Sequence, residues 1–352
     1  MGKRTAHKAK TKYEETWSEA LAIVEQDIIQ GNKNLLEILA NYSKFKTRDR
    51  LNNKFFYDVS QTLDIAPKGK RPQEKQLVVL DDKYAIIPLD CILDDIFIDI
   101  LANFIHEKEK QIDYIVELGS GFGINLFNLA YKLDPNLRKR VKFFSCEYTD
   151  SGKQTCERLL GLSNELQMSI EHFDYYHPNL SFILPKKNIL FFTAHSIEQI
   201  PILDQNVFKI MLDVSNQCHC YHAEPIGWQF DETLRIEREH INAKDGKQDR
   251  SHLRKSLSKI DRWIFTKFGT GIVDTSKQNG ISVEKSDIGK PDKVSANAVS
   301  WSLARDYNTN LLSILKQLER DGLIRIDSEM VNHYGKNPFN PTSIISWHKI
   351  KD

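Results

Sequence analysis

The sequence predicts an α/β fold built around a mostly parallel β-sheet. Residues 114–118 are dominated by bulky apolar side chains, as expected for a strand that is covered on both faces. A glycine turn and an amphipathic helix over residues 124–133 follow this strand directly. Further strands alternate with helices or loops, which is the pattern of a sheet joined by crossover connections. We place these strands at residues 141–146, 168–173, 188–192 and 219–222.

The turn after the first strand carries Gly119, Gly121 and Gly123. Glycine permits positive φ and removes the Cβ atoms that would block a ligand. A dinucleotide-binding G-x-G-x-x-G turn needs its third glycine three positions after the second. That position is Ile124 here, and the third glycine comes one residue earlier. The turn therefore departs from the phosphate-binding turn of NAD enzymes, and by itself it is also compatible with a plain tight turn.

Acidic and polar side chains follow the ends of the next strands. Glu147 ends the second strand, where a carboxylate can accept hydrogen bonds from both hydroxyls of a ribose. Taken alone, it would equally fit a surface carboxylate at a strand end. Asp174 and Tyr175 follow the third strand, and His195 follows the fourth. Because ligands of open α/β sheets bind at the carboxyl ends of the strands, these residues are candidates for one ligand site.

The segment Glu117-Leu-Gly-Ser-Gly-Phe-Gly123 resembles motif I of class I S-adenosylmethionine (SAM)-dependent methyltransferases. The order of strands, glycine turn and strand-end acids is similar to that family over residues 113–228. The resemblance implies a Rossmann-like sheet of seven mostly parallel strands, the last antiparallel, with final strands at 323–331 and 342–350. It also implies that SAM is the cofactor, with Glu147 on the ribose, Asp174 on the adenine amino group and His195 near the methionine part or the substrate. The implied cofactor-binding residues are Glu117, Gly119, Ser120, Gly121, Gly123, Glu147, Asp174, Tyr175 and His195.

Three regions differ in composition along the chain. Residues 1–12 are rich in lysine without apolar partners, which predicts a disordered basic tail. Residues 13–75 contain helical patterns at 14–31, 34–42 and 51–63, which we interpret as a helical cap over the cofactor site. Residues 76–352 form the methyltransferase-like domain, with a small hairpin at its start and a helical and loop insertion at about 231–307.

The composition narrows the expected location and partners. A net charge of +1 gives no overall field that would favour DNA or RNA, so we do not expect a nucleic-acid partner. No apolar run approaches the ~20 residues needed to span a bilayer, and the polar N-terminus does not look like a secretory signal. Five cysteines without disulfide-framework spacing suit a reducing compartment, so we expect a cytoplasmic protein. The oligomeric state stays open.

The fifth strand carries a cluster of reactive side chains. Alternation along a strand puts Cys218, Cys220, His222 and Glu224 on one face, which leaves a zinc site as one alternative. We favour His222 as the general base that deprotonates the methyl acceptor, with Glu224 orienting it, because the strand ends near the expected site. A histidine whose hydrogen bonds serve only packing is the other alternative.

The predicted function is therefore SAM-dependent methyl transfer. No Asn-Pro-Pro-Tyr-type tetrapeptide follows the fourth strand, so we expect O-methylation of a small-molecule or sugar-type acceptor. One alternative is methylation of a protein or RNA, with the basic N-terminus as a binding arm. A second alternative is a non-catalytic scaffold of the same fold.

Overall fold

One ten-stranded sheet runs through the computed structural model, which describes residues 2–52, 75–88, 93, 95–108, 111–163, 165–236, 238, 273–274 and 292–350. The strands of this sheet, in chain order, are β1 (Lys75–Leu80), β2 (Lys83–Pro88), β3 (Tyr114–Leu118), β4 (Lys142–Glu147), β5 (Met168–His172), β6 (Lys187–Ala194), β7 (Ser215–Glu224), β8 (Val273–Asp274), β9 (Ile324–Gly335) and β10 (Thr342–Lys349).

The strands lie in the order β5-β4-β3-β6-β7-β10-β9-β1-β2-β8. The five strands from β5 to β7 are parallel neighbours, whereas β10 runs antiparallel to both β7 and β9. The α/β class, the mostly parallel sheet and the antiparallel last strand are thereby confirmed. The strand order also reverses direction along the sheet at β3 and β6, which is where α/β folds of this kind open a crevice for a ligand.

The predicted count of seven strands is wrong. The hairpin β1–β2, which the sequence does predict, pairs with the sheet instead of standing apart from it. Val79 and Leu80 pair with Gly335 and Tyr334 at the end of β9, and β8 then adds in parallel to β2. Since β10 occupies one edge of β9, the hydrogen-bonding groups of the other edge accept β1 near the end of the strand.

The helices cover both faces of the sheet. They are α1 (Gly2–Ile29), α2 (Leu35–Asn52), α3 (Asp95–Glu107), α4 (Ile124–Lys132), α5 (Pro135–Arg140), α6 (Asp150–Leu160), α7 (Asn206–Val214), α8 (Asp292–Arg305) and α9 (Leu311–Arg320). Two short 3₁₀ helices, Ile197–Gln199 and Gly227–Phe230, follow β6 and β7. None of the helices in the described part of the chain is both long and apolar enough to cross a bilayer.

The core has one layer on each side of the sheet. All five residues of β3 are buried, as a central parallel strand requires. Tyr114, Val116 and Leu118 of this strand pack in one layer with α7 and α9, while Ile115 packs in the other with α3 and α4. Because these two layers clamp β3 between them, the glycine turn that follows it is held at a defined position above the sheet edge.

The N-terminal helices pack against the outside of α4 and α6. Trp17, Ala20 and Val24 of α1 join Leu39 and Tyr42 of α2 in a third apolar cluster with Phe122. The carboxylate of Glu14 caps α6, accepting from the backbone N–H groups of Asp150 and Ser151 at 2.9 Å each.

The structure changes one prediction for the outer regions of the chain, and others fall largely outside the described residues. Residues 1–12 were expected to be disordered, but α1 begins at Gly2. Lysine and alanine are good helix formers, so the segment continues the helix that Trp17 anchors to the body. The helix predicted at 51–63 and most of the insertion predicted at 231–307 lie outside the described residues.

Candidate functional site

A cavity of about 310 Å³ opens at the carboxyl ends of β3, β4 and β6. This is the edge at which the sequence placed a ligand site, and the volume lies within the range of small-ligand pockets. Eight of the nine residues predicted to bind a cofactor line this cavity, namely Glu117, Gly119, Ser120, Gly121, Glu147, Asp174, Tyr175 and His195. The folded chain therefore brings together side chains that are up to 78 residues apart in sequence.

The glycine turn forms the floor of the cavity. Gly119 and Gly121 have φ of 71° and 57°, which glycine adopts without steric cost. A Cβ atom on Gly119 would lie 2.5 Å from Ser196 Cβ, and one on Gly121 would lie 2.8 Å from Trp17 Cζ2. Both positions therefore require glycine for space as well as for conformation.

Gly123 and Ser120 serve the turn more than the cavity. Gly123 is the predicted cofactor residue that does not line the cavity; it begins α4 with φ of 80°, and its N–H donates to Ser120 O at 2.9 Å. The hydroxyls of Ser120 and Ser145 share a buried hydrogen bond of 2.7 Å. Gly123 thus has a structural role in the turn, where α4 and Cys156 enclose it, and its contact with a cofactor stays a prediction.

Glu147 holds the glycine turn from the side. Its Oε2 accepts from Gly121 N at 2.8 Å, and its Oε1 accepts from the backbone N and the hydroxyl of Thr149 at 2.9 and 2.7 Å. Burial raises the pKa of this carboxyl above its ordinary value. Each carboxylate oxygen has two lone pairs, so after these three hydrogen bonds Oε2 of Glu147 retains one lone pair with which to accept from a ligand.

Glu117 is the most unusual group in the cavity. Its Oε1 accepts from Asn125 Nδ2 at 2.8 Å, whereas its Oε2 is buried and has no hydrogen-bond partner among the described residues. Burial, opposed by the Asn125 hydrogen bond, raises the pKa of Glu117 to about 8. A buried carboxylate oxygen without a partner is costly, so a cationic or hydrogen-donating ligand group would stabilise it.

Asp174 and Tyr175 define the far wall. Asp174 Oδ1 accepts from Tyr176 N at 2.8 Å, which forms a local turn and places both residues on the cavity surface. The Tyr175 hydroxyl donates to Leu118 O at 2.9 Å and lies 2.9 Å from Ser196 Oγ. Tyr175 therefore connects the segment after β5 to the end of β3. Its ring face, not its hydroxyl, is available to a ligand.

His195 sits in a strained backbone position at the end of β6. Its φ of 53° is unusual for a residue other than glycine, and its N–H donates to Ala223 O at 3.0 Å. The ring contacts Glu198 Oε2 through Nδ1 at 3.2 Å and Thr342 Oγ1 through Nε2 at 2.8 Å. About 41% of the side chain stays exposed, so the imidazole is accessible from the cavity.

The structure removes His222 from the site. Its ring is buried beneath Phe208 and Trp347, and it is absent from the cavity lining. Trp347 Nε1 donates to Nε2 at 3.0 Å, so Nδ1 carries the proton and faces Thr193 Oγ1 at 3.0 Å. Burial lowers the pKa of His222 to about 3. The prediction of His222 as general base is therefore corrected to a neutral, hydrogen-bonded core histidine.

Glu224 holds a loop instead of orienting His222. Its carboxylate accepts from the backbone N–H groups of Ser196 and Ile197 through Oε1, at 3.2 and 3.1 Å, and from that of Glu198 through Oε2 at 3.1 Å. Burial, assisted by the nearby charge of Glu198, raises the pKa of Glu224 to about 7. The predicted role of Glu224 in orienting His222 is therefore corrected. Glu224 anchors the loop after β6, which carries His195.

The cysteines of β7 remain in the core. Cys218 and Cys220 are buried, and Cys220 Sγ lies 3.4 Å from His222 Nε2. This confirms that Cys220 and His222 share a face of the strand. Within the described ranges no group of three or more His, Cys, Asp or Glu side chains is placed to hold a metal ion.

The sequence missed three cavity residues on α1. Lys10, Tyr13 and Trp17 line the cavity from above, opposite the glycine turn. The amphipathic pattern predicted a helix that caps the site, but it could not select these side chains. Only the docking of α1 beside Gly121 shows what Trp17 covers.

Comparison with known proteins gives structural neighbours only. No family model and no curated protein sequence matches this chain. Similar solved structures include the N-terminal domain of EvdMO1 with SAH bound (12% identity, TM-score 0.35, 72% of this chain and 81% of that chain) and a SAM-dependent methyltransferase from Aquifex aeolicus (9%, 0.34, 74% and 100%). Another is DszA carbon methyltransferase (10%, 0.31), of which this chain spans only 36%. Two of these three are described as methyltransferases and the third holds SAH, but at these TM-scores the fold assignment rests on strand order and the glycine turn.

Proposed function

We propose that this protein is a SAM-dependent methyltransferase. The observation that carries the proposal is the buried Oε2 of Glu117, which has no hydrogen-bond partner among the described residues and lies beside the glycine turn that floors the cavity. A site that pairs a buried carboxylate with a glycine floor suits a ligand with a cationic nitrogen and a flat ring system. SAM has both, and it supplies a methyl group activated by a sulfonium.

The residues of the cavity fit the parts of SAM. Glu117 would accept from the α-ammonium group of the methionine part, because that cation would complete its hydrogen bonds and offset its buried charge. Glu147 would accept from a ribose hydroxyl with the remaining lone pair of Oε2. Asp174 and Tyr176 would border the adenine, with the carboxylate accepting from its amino group.

The chain contributes position and exclusion of water. Methyl transfer to a nucleophile needs in-line approach, so holding the two reactants in place supplies most of the effect. Tyr13, Trp17 and Phe122 close the cavity with aromatic surface, and Trp17 packs edge-on against Phe122 with ring centroids 5.4 Å apart. These side chains would keep solvent from competing with the acceptor.

We further propose that the acceptor is a hydroxyl of a small-molecule or sugar-type compound. The small volume of the cavity and its cover by α1 favour a compact acceptor over a protein or RNA chain. His195 and Glu198, which line the same cavity, offer a group that can take the proton of a hydroxyl.

The first test measures binding. Isothermal titration calorimetry with SAM and SAH should show one competitive site in the purified protein without added metal. Glu147→Ala and Gly121→Val should each weaken binding, while Glu157→Gln on the exposed face of α6 should not. A folded protein that binds neither nucleoside would refute the proposal, since a non-binding scaffold would behave in this way.

The second test identifies the acceptor. The protein is incubated with methyl-labelled SAM and a fractionated metabolite extract, and labelled products are separated by size and by stability to alkali. Label in a small, alkali-stable ether supports O-methylation of a hydroxyl. Label confined to macromolecules in a total lysate would instead support a protein or RNA acceptor.

A further inference from the structure

The loop after β6 belongs to a polar cluster that does not serve to support the glycine turn. His195 and Glu198 lie on this loop, Asn340 on the connection between the last two strands, and Thr342 at the start of β10. Glu198 is 5% exposed and Thr342 is 1% exposed, whereas the ring of His195 reaches the cavity. Two separate segments of chain, the loop after β6 and residues 340–342, thus meet around one accessible imidazole.

The backbone at His195 is held away from its preferred conformation. A φ of 53° costs a non-glycine residue on the order of 1–2 kcal/mol. Two contacts pay this cost: the His195 N–H donates to Ala223 O, and Glu224 caps the loop that follows. Strain retained at a cavity wall is typical of a residue whose side-chain direction matters for function.

The neighbours of the ring determine its tautomer. An ionised carboxylate only accepts hydrogen bonds, so Glu198 Oε2 requires the proton of His195 on Nδ1. Nε2 then carries a lone pair and accepts from the hydroxyl of Thr342 at 2.8 Å. The Thr342 hydroxyl thereby uses the one lone pair of Nε2, so it must turn its hydrogen to another acceptor before Nε2 can take a proton from a ligand.

The same arrangement also accommodates a proton. When Nε2 is protonated it can donate to Thr342 Oγ1, because a hydroxyl hydrogen rotates and its oxygen accepts. Glu198 is then next to an imidazolium and stabilises it by charge. Taking up a proton therefore leaves no ring nitrogen without a partner, unlike at His222, whose surroundings include no carboxylate partner.

We propose that His195 is the general base of the methyl transfer and that Glu198 is its positioning residue. This inference rests on the proposed function. The Thr342 hydroxyl turns its hydrogen away from Nε2 of His195, the acceptor O–H bond breaks, and its proton moves to the freed lone pair of Nε2. The acceptor oxygen uses the freed electron pair to bond the methyl carbon, and the carbon–sulfur pair stays on sulfur as a neutral thioether. The positive charge passes from the sulfonium to the imidazolium, which later releases its proton to water.

Other charged groups face this pair and have to be considered in its pH dependence. Glu224 reaches the loop from β7, and its charge interacts with both His195 and Glu198. Lys12 from α1 and Arg305 from α8 act on the same carboxylate region. Variants at His195 and Glu198 leave these three groups in place, so a change in the pH profile can be assigned to the pair.

The first experiment reads the tautomer without any acceptor. Histidine-labelled protein is studied by ¹⁵N NMR with and without SAH, and the His195 signals are identified by their loss in His195→Asn. Asparagine tolerates a left-handed φ, so this variant keeps the backbone conformation. We expect neutral His195 to carry its proton on Nδ1, and Glu198→Gln to reverse or mix the tautomers. A proton on Nε2 in the wild-type protein would overturn the assignment.

The second experiment measures transfer of label from methyl-labelled SAM to the metabolite extract at saturating SAM. His195→Asn should slow the initial rate by ~10²–10⁴-fold, the usual contribution of a general base, while its affinity for SAH changes by less than about threefold. The wild-type rate should fall on acidification as the imidazole becomes protonated, and Glu198→Gln should alter this profile. His106→Asn, on the exposed face of α3, is the matched control.

The outcomes separate the two proposals. Transfer by the wild type together with equal transfer by a folded His195→Asn protein would refute the base role alone. A wild-type protein that neither binds SAH nor transfers label would refute methyl transfer, and the base role with it. Slow transfer together with intact SAH binding in the variant would support both.

Discussion

The substitution Glu117→Gln tests both the stability of the fold and the ligand that the cavity is built for. Glutamine has the same shape as glutamate and can keep the hydrogen bond with Asn125, but it carries no charge. Because Oε2 of Glu117 is buried with no partner in the described part of the chain, the fold must tolerate the charge of this side chain more than its shape. Three measurements follow from this difference.

The first measurement is the free energy of unfolding as a function of pH. The ordinary pKa of 4.5 rises to about 8 on folding. A carboxyl with a raised pKa contributes its full stability below pH 4.5, and this stability is lost as the pH rises toward about 8. One pKa unit corresponds to about 1.36 kcal/mol. The loss of folding stability is therefore about 3 kcal/mol near pH 7 and approaches about 5 kcal/mol above the pKa of the folded state. Glu117→Gln should remove this loss, so denaturant titrations should show the variant to be more stable than the wild type in alkali and about equal in acid.

The second and third measurements concern SAH binding. At neutral pH Glu117 is mostly protonated, and an ammonium group that pairs with it would displace that proton. Calorimetry in buffers of different ionisation enthalpy should therefore show release of close to one proton from the wild type and none from Glu117→Gln. Where Glu117 is already ionised, the variant should bind SAH more weakly by about 1.5–3 kcal/mol, or roughly 10- to 150-fold.

The control is Glu157→Gln, since Glu157 is exposed on α6 and outside the cavity. It should change neither proton release nor affinity. A Glu117→Gln protein that binds SAH as tightly as the wild type, with the same proton release, would show that the ammonium binds elsewhere. A variant without any gain of stability in alkali would show instead that Glu117 finds a partner that the static structure lacks.

Three further substitutions test the remaining parts of the site. Gly121→Val should abolish SAM binding while the protein still folds, because the side chain would meet Trp17 and oppose a φ of 57°; unchanged affinity by calorimetry would rule the cavity out. Glu147→Ala should weaken SAM by on the order of 1.5–3 kcal/mol, and a comparable loss of thermal stability without ligand would point to its support of the glycine turn as its main role. His222→Ala should lower the free energy of unfolding by about 2–4 kcal/mol, because it leaves Thr193 and Trp347 without their partner. The folded variant should still transfer the labelled methyl group. A loss of transfer at unchanged stability would restore His222 as a catalytic group.

The sequence by itself determined the central sheet and the glycine turn. The strand at Tyr114–Leu118 and the turn after it follow from neighbouring residues, since apolar runs and glycine spacing act within one or two turns of chain. The positions of Glu147, Asp174 and His195 followed as well, because parallel strands end at the same edge. These local rules suffice for most of the cavity floor.

The tertiary structure decided which side chains a ligand can reach. Alternation along β7 predicted correctly that Cys220 and His222 share a face, but Phe208 of the preceding helix and Trp347, which is 125 positions away, cover that face. His195 became accessible through the cap that Glu224 places on its loop. The contact of Trp17 with Gly121 joins residues about a hundred positions apart. Periodicity depends on near neighbours in the chain, whereas access to solvent depends on which distant segments pack on top, and only folding brings those together.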